Sequence, residues 1–221
     1  MQRKIILSVG EFYHVYNRGV EKRKVFQSKK DHERFQRLLY LANGTAPLKF
    51  DRVKDWALKD IDRGTPLVAI GAYVLMPNHF HILLREIKEG GTSSFMEKLT
   101  TAYSTYFNKR NDRVGSLFQG TYKAEHADTD EYLKYLFAYV PLNATKLIEP
   151  QWKERGIEDQ DKVRAFLNGY KYSSYVDHIG IEREENLILT KSAFPEYFLE
   201  TRDFKDFIDD WLSFCQEGED V

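Results

Sequence analysis

The chain has 221 residues, 42% hydrophobic and 30% charged, enough for one substantial core with a small appendage. Its 33 basic and 34 acidic side chains leave a formal charge of −1, which argues against a general nucleic-acid glue, since such proteins are strongly basic. The sum hides a split: residues 1–123 hold 22 Lys and Arg against 12 Asp and Glu (+10), and residues 124–221 hold 11 against 22 (−11).

The chain opens on Met1-Gln2-Arg3-Lys4 with only a few apolar residues behind them, short of the apolar stretch of a signal peptide. The aromatic and β-branched run Phe12 to Gly19 predicts a strand. Ser28 and Asp31 have capping-box spacing, Phe35, Leu38, Leu39 and Ala42 recur at helical period, and Gly44 is a stop. Residues 45–65 are charged and turn-rich, a surface insertion. Leu67 to Met76 is apolar enough for a central strand. Pro77-Asn78 supplies a tight turn, and Phe80 to Arg85 returns as its partner.

A second helix follows Gly90-Gly91, with Ser94 and Glu97 as its cap pair and Phe95, Leu99, Ala102, Tyr103, Tyr106 and Phe107 as its apolar face. Leu117 to Glu125 reads as a fourth strand. Asp128 and Glu131 form a further cap pair for a helix through Tyr132, Leu136, Tyr139 and Val140. The order β-α-β-β-α-β and then a helix predicts an α+β, ferredoxin-like antiparallel sheet with helices on one face. Beyond Pro150 the chain turns acidic. Trp152, Val163, Phe166, Leu167, Tyr170 and Tyr172 predict a helix against the core, and Phe204 to Phe214 is amphipathic. We therefore expect a domain over 1–149 and a helical, acidic extension over 150–221 packed on it. The extension reads first as structural, and second as a cover over an active site. The single cysteine, Cys215, excludes an intramolecular disulfide or multi-cysteine zinc site and suits a reducing, cytoplasmic setting. No apolar run reaches the roughly 18–20 residues of a membrane span, so no membrane partner is expected.

The sharpest chemical feature is Met76-Pro77-Asn78-His79-Phe80-His81. Residues two apart on a strand point to the same side, so His79 and His81 would present two imidazoles together, a start on a metal site. An isolated His-x-His is more often a turn cap and an exposed side chain. Here, however, hydrophobic residues alternate around the pair and it opens a central strand. The second feature is Tyr139-Val140-Pro141-Leu142-Asn143. Tyr139 and Asn143 share a helix face, a phenol beside a carboxamide that can donate oxygen to a metal. With 14 tyrosines in the chain, Tyr132, Tyr135 and Tyr139 also read as an aromatic packing face. Pro141 lacks a backbone donor and bends or ends its helix. For phosphates, the sequence offers Asn17-Arg18-Gly19-Val20-Glu21-Lys22-Arg23-Lys24 with Lys29 and Lys30, and Lys109, Arg110, Arg113 and Lys123. For unpaired bases it offers Tyr13, Tyr16, Phe118 and Tyr122.

These blocks, in order, resemble the single-tyrosine HUH transposases of the insertion-sequence type, and among them the REP-associated tyrosine transposases. The resemblance runs from Phe12 to about Tyr175. It rests on Tyr13-His14-Val15-Tyr16-Asn17-Arg18-Gly19, Met76 to His81, Tyr106-Phe107-Asn108-Lys109-Arg110 with Gly115 to Lys123, Glu131-Tyr132-Leu133, Tyr139 to Asn143, and Tyr172-Ser173-Ser174-Tyr175. It implies a ferredoxin-like transposase that binds single-stranded DNA with an adjacent hairpin. It would cut and rejoin that DNA through a 5′-phosphotyrosine, with Mg²⁺ or Mn²⁺ as cofactor. By the same resemblance His79 and His81 bind the metal, Asn143 is the third ligand, and Tyr139 is the nucleophile. The family often carries Tyr-x-His-Leu-Asn-Pro here, whereas this chain has Pro141 and Ala144 at the His and Pro positions. Either a monomer or a homodimer fits. The alternatives are a catalytically inactive, domesticated DNA-binding or regulatory protein on the same fold, and a cupin-type metalloenzyme. The helical patterns argue against the cupin.

Overall fold

A computed structural model describes residues 6–47 and 49–214; the expectations drawn from Met1 to Lys4 and from Cys215 lie outside them. Four strands, β1 (Phe12–Arg18), β2 (Val68–Met76), β3 (His79–Glu86) and β4 (Lys123–His126), form one antiparallel sheet in the order β2-β3-β1-β4. Between them run α1 (Lys29–Leu41), the single turn α2 (Phe50–Val53) and α3 (Gly91–Arg110). After the sheet come α4 (Asp130–Leu142), short α5 (Trp152–Arg155), α6 (Gln160–Gly169), short α7 (Tyr175–His178) and α8 (Thr201–Phe214). This is the expected ferredoxin-like α+β order.

Strand alternation divides the molecule into two cores. Tyr13 and Val15 of β1 and Phe80, Ile82 and Leu84 of β3 face α1 and α3, where Phe35, Leu38, Phe95, Leu99 and Tyr103 complete a buried cluster. The opposite face is covered too. Ala69, Ala72, Val74 and Leu83 pack under Leu133, Leu136 and Val140 of α4, with Val163, Leu167, Phe204, Ile208 and Leu212 from the extension. The two helices between the strands thus lie on one face as expected, and the extension is core rather than surface. Two covered faces explain why all nine residues of β2 are buried. A register shift between Ile70 and Ala72 puts Val68, Ile70, Tyr73 and Leu75 on the first face despite their broken alternation. Gly71 sits in that shift, where a Cβ would lie 2.7 Å from the Phe194 ring.

Local chemistry accounts for the helix starts. Ser28 caps α1 with the full reciprocal box to Asp31. Ser94 and Glu97 do not cap α3: it begins at Gly91 behind Gly90, a residue in left-handed conformation. The buried Glu86 carboxylate accepts from the N–H groups of Gly90 and Thr92 in their place. Thr129, not Asp128, caps α4 by accepting from the N–H of Tyr132. The expected fourth strand is short. Leu117 to Gln119 instead bond the backbone of Arg18 to Val20, and Gly120, at positive φ, turns the chain before β4 begins at Lys123. The 45–65 insertion is partly anchored, with Leu58 and Ile61 packed on Leu41.

Candidate active site

The cleft lies on the α4 side of the sheet. Because Phe80 points into the α1–α3 core, its neighbours His79 and His81 point the other way, and their rings lie 5.0 Å apart. Tyr16, paired with His81 across the β1–β3 ladder, and His14, two residues before it on the same face, extend the group. His14 Nε2 and His81 Nδ1 are 2.8 Å apart. Helix α4 crosses above, and the Tyr139 ring meets His14 and His81 edge-on at 5.6 and 6.1 Å. Tyr16, Arg18, His79, His81, Lys123, Tyr139, Asn143 and Lys146 all line one cleft of about 350 Å³, together with Asn17 and Gln119.

Burial sets the protonation of this site. It holds His79 at a pKa of about 4, with the Arg18 and Lys146 charges adding to the effect, and it drives His81 well down. His14 is lowered to about 4 by burial, against the raising influence of Glu125. All three imidazoles are therefore neutral near pH 7. His79 Nδ1 lies 2.6 Å from Asn78 Oδ1, so the proton sits on Nδ1 and the Nε2 lone pair is left over. Burial also raises the Tyr139 phenol above its usual value, opposed by its hydrogen bond with Asn143.

Pro141 does not displace the tyrosine. The helix runs through it to Leu142 and then tightens into a 3-10 turn over Asn143–Leu147. The Asn143 amide Nδ2 donates to Tyr139 O at 2.6 Å, which ties the side chain across the proline, and Asn143 lines the cleft. Tyr132, Tyr135 and Tyr139 stack in a ladder, with ring centroids 5.9 and 5.2 Å apart, and Trp211 of α8 leans on Tyr135. The Tyr132 hydroxyl is committed to Glu125, whereas Tyr139 is the ring over the histidines. Lys153 of α5 places its ammonium 3.9 Å from the Tyr139 ring centroid.

The expected DNA contacts divide. Tyr16, Arg18 and Lys123 line the cleft. The loop carrying Lys22, Arg23 and Lys24 is tied to the histidine turn through Gly19 N–H to Asn78 O and Asn78 Nδ2 to Lys22 O. Arg23 is turned back on Val20 O and Glu21. Tyr13 is corrected: it is 1% exposed in the α1–α3 core with its hydroxyl accepting from Ser8 N–H, so no base can stack on it. Phe118 and Tyr122 are buried in the same core. Asn17 spends its amide on Gly120 O and Arg18 N–H and shapes the wall. Lys109 and Arg110 are not brought to this cleft. With Arg34, Lys49 and Arg52 they line a separate basic hollow of about 810 Å³ over α1 and α3, where Arg110 pairs with Asp31. Arg113 bonds Asn108 at the end of α3.

Sequence reasoning missed His14, Glu125, Lys146 and Lys153 as site residues. The signal for His14 was available: His14 and Tyr16 alternate on β1 as His79 and His81 do on β3. Nothing local marks Lys153, which reaches the site only through the fold.

The antiparallel sheet thus presents paired histidines beneath a tyrosine-bearing helix. The fold is similar to a solved structure described as the REP-associated tyrosine transposase bound to a REP hairpin. The likeness spans 84% of this chain and 90% of that chain at 9% identity, with a TM-score of 0.50. Among curated proteins none matches this chain. Residues 65–143 match the family of IS200-like transposases, a segment containing His79, His81, Tyr139 and Asn143. Over those residues, 79 of the 221, the chain is similar to the IS200-like transposases.

Proposed function

We propose that this protein is a DNA transposase that cuts and rejoins single-stranded DNA beside a hairpin, using Tyr139 as nucleophile. The observation that carries the reading is the meeting of Tyr139, His79, His81 and Asn143 in one cleft whose rim holds Arg18, Lys123 and Lys146. A single-stranded phosphodiester laid against those cations would bring phosphorus under the phenol. Tyr139 Oη then forms a bond to phosphorus while the bond to the 3′-oxygen breaks. The phenol proton passes to water and the leaving oxygen takes one up. The product is a 5′-phosphotyrosine and a free 3′-hydroxyl. Because the phosphodiester is exchanged rather than hydrolysed, a second 3′-hydroxyl reverses the step and joins strands. The Lys153 ammonium over the ring face offsets the cost of charge on the buried phenol.

The donor set fits a divalent ion. Among the described residues no three His, Cys, Asp or Glu side chains gather as a metal cluster. His79 and His81 would therefore hold the ion with the Asn143 oxygen and the substrate phosphate. Two neutral imidazoles with oxygen donors favour Mn²⁺ over Mg²⁺, which prefers oxygen alone. Such an ion, when bound, supplies Lewis-acid polarisation of the phosphate. All four groups come from one chain, which supports a site complete in a monomer. The Lys22–Lys24 loop and the Lys109–Arg110 hollow are the surfaces we assign to hairpin phosphates, with residues 1–149 as the catalytic unit and 150–221 as its extension.

The test is incubation with Mn²⁺ and labelled single-stranded oligonucleotides that carry hairpins from the protein's own locus. We expect a denaturant-stable protein–DNA adduct; no adduct on any flanking substrate refutes the enzyme.

A further inference from the structure

Behind His81 lies a chain of polar groups that the reaction above does not use. His14 is 3% exposed and lies edge to edge with His81, with centroids 5.0 Å apart and planes within 16°. Its Nε2 is 2.8 Å from His81 Nδ1, while its Nδ1 is buried with no hydrogen-bond partner. The nearest charge to that nitrogen is Glu125 Oε2 at 3.7 Å, on the residue paired with His14 across the β1–β4 ladder. The carboxylate is itself gripped by two phenols: Tyr16 Oη donates to Oε1 at 2.7 Å and Tyr132 Oη to Oε2 at 3.3 Å.

Only two proton arrangements satisfy the contact between the rings. In one, His14 Nε2–H donates to His81 Nδ1. That leaves a lone pair on His14 Nδ1 facing a carboxylate, and forces the His81 proton onto Nε2. In the other, His14 carries its proton on Nδ1 toward Glu125, and its Nε2 accepts from His81 Nδ1–H. The second replaces a lone pair opposed to an anion by an N–H dipole aimed at it, on a ring nitrogen that is buried from water. It also mirrors His79, whose Nδ1–H is held by Asn78.

We propose that Glu125 and His14 are positioning residues that fix His81 in its Nδ1–H tautomer, so that its Nε2 lone pair faces the cleft. The pair rests on the reading of His81 as a metal ligand for its consequence, but not for its existence. Sequentially the three residues are far apart; the sheet register brings them into line, since β1 lies between β3 and β4. Imidazoles that bind metals are usually held this way through their other nitrogen, and loss of the holding group weakens metal binding about 10- to 100-fold.

The first measurement needs neither metal nor variant: ¹⁵N chemical shifts of the histidine rings in the full, metal-free protein. The proposal expects Nδ1–H with a bare Nε2 at both His81 and His14; Nε2–H at either ring overturns it. The second compares Mn²⁺ affinity by calorimetry in wild type, Glu125→Leu, Glu125→Gln and His14→Phe. The Glu125 side chain is half-exposed, so Glu125→Leu tests the idea even where His14→Phe fails to fold. Glu125→Leu should bind Mn²⁺ at least about tenfold more weakly. It should also lose the single His81 tautomer, and Glu125→Gln, which keeps an acceptor, should restore most of both. Unchanged affinity and tautomer in Glu125→Leu overturn the proposal. If wild type binds no Mn²⁺ while the tautomers are as expected, the metal reading fails and the positioning chain stands.

Discussion

Replacing Phe204 by alanine tests whether the acidic extension belongs to the cooperative core or merely lies on it. Phe204 is 1% exposed; its ring stacks on His178 at 4.8 Å and meets Phe198 edge-on at 5.2 Å. Deleting a buried phenylalanine ring costs about 3–5 kcal/mol, depending on how far the site collapses. Here a cleft lined by Phe137, His178, Phe194 and Phe198 opens beside the ring, so neighbours can relax and the lower end, about 3 kcal/mol, applies. For a domain of this size that corresponds to a drop in Tm of about 6–12 °C. Thermal unfolding followed by circular dichroism should show one transition, shifted by that amount. A shift under about 2 °C, or a separate early transition with the main one unmoved, would refute the view that α8 completes the second core. The same packing bears on truncation. Removing residues after Tyr175 strips Phe204, Ile208 and Leu212 from the core and should therefore unfold the protein.

Three further outcomes follow from particular contacts. His178 donates Nε2–H to Gly71 O, and burial, with Lys191 adding, lowers its pKa to about 3. Its folded value is below the unfolded one, so its contribution is complete above about pH 6.5 and is lost as pH falls toward 3. His178→Gln keeps a donor without a titration, and should shrink the stability difference between pH 7 and 4.5 by about 2 kcal/mol in urea melts. An unchanged difference contradicts the burial argument. Thr129→Ala should cost about 1 kcal/mol by removing the α4 cap, whereas Asp128→Ala should cost less than half of that. Lys153→Gln should slow adduct formation about 5- to 30-fold, a cation–π contribution of about 1–2 kcal/mol, with oligonucleotide binding changed less than twofold. Equal losses in binding and rate would make Lys153 a phosphate contact instead.

Much of the fold was legible because local and global signals agreed. The Ser28–Asp31 box, the unbroken apolar run of β2 and the Pro77-Asn78 turn each appear where the spacing placed them. Cap placement failed where the helix drew on something other than the nearest Ser or Asp. Glu86 supplies α3 from the end of a strand, and Thr129, one residue beyond the expected Asp128, caps α4. The second core was foreseen only as an extension, because period alone does not say which sheet face a helix covers. In the site, strand alternation was enough to read His79 and His81 together. The same alternation on β1 marks His14, but its meaning depends on register with β3 and β4, which no local pattern encodes. Tyr13 illustrates the reverse: an aromatic beside a basic loop reads as a base-stacking residue until the pleat turns it inward.

The proposed reaction turns on which tyrosine receives the DNA. Digesting the denatured adduct with protease and nuclease, then locating the residual nucleotide by mass spectrometry, answers that directly. The expected result is a 5′-nucleotide on Tyr139 and no adduct with Tyr139→Phe. A nucleotide on Tyr16, Tyr132 or Tyr135, or an adduct that persists in Tyr139→Phe, would contradict it.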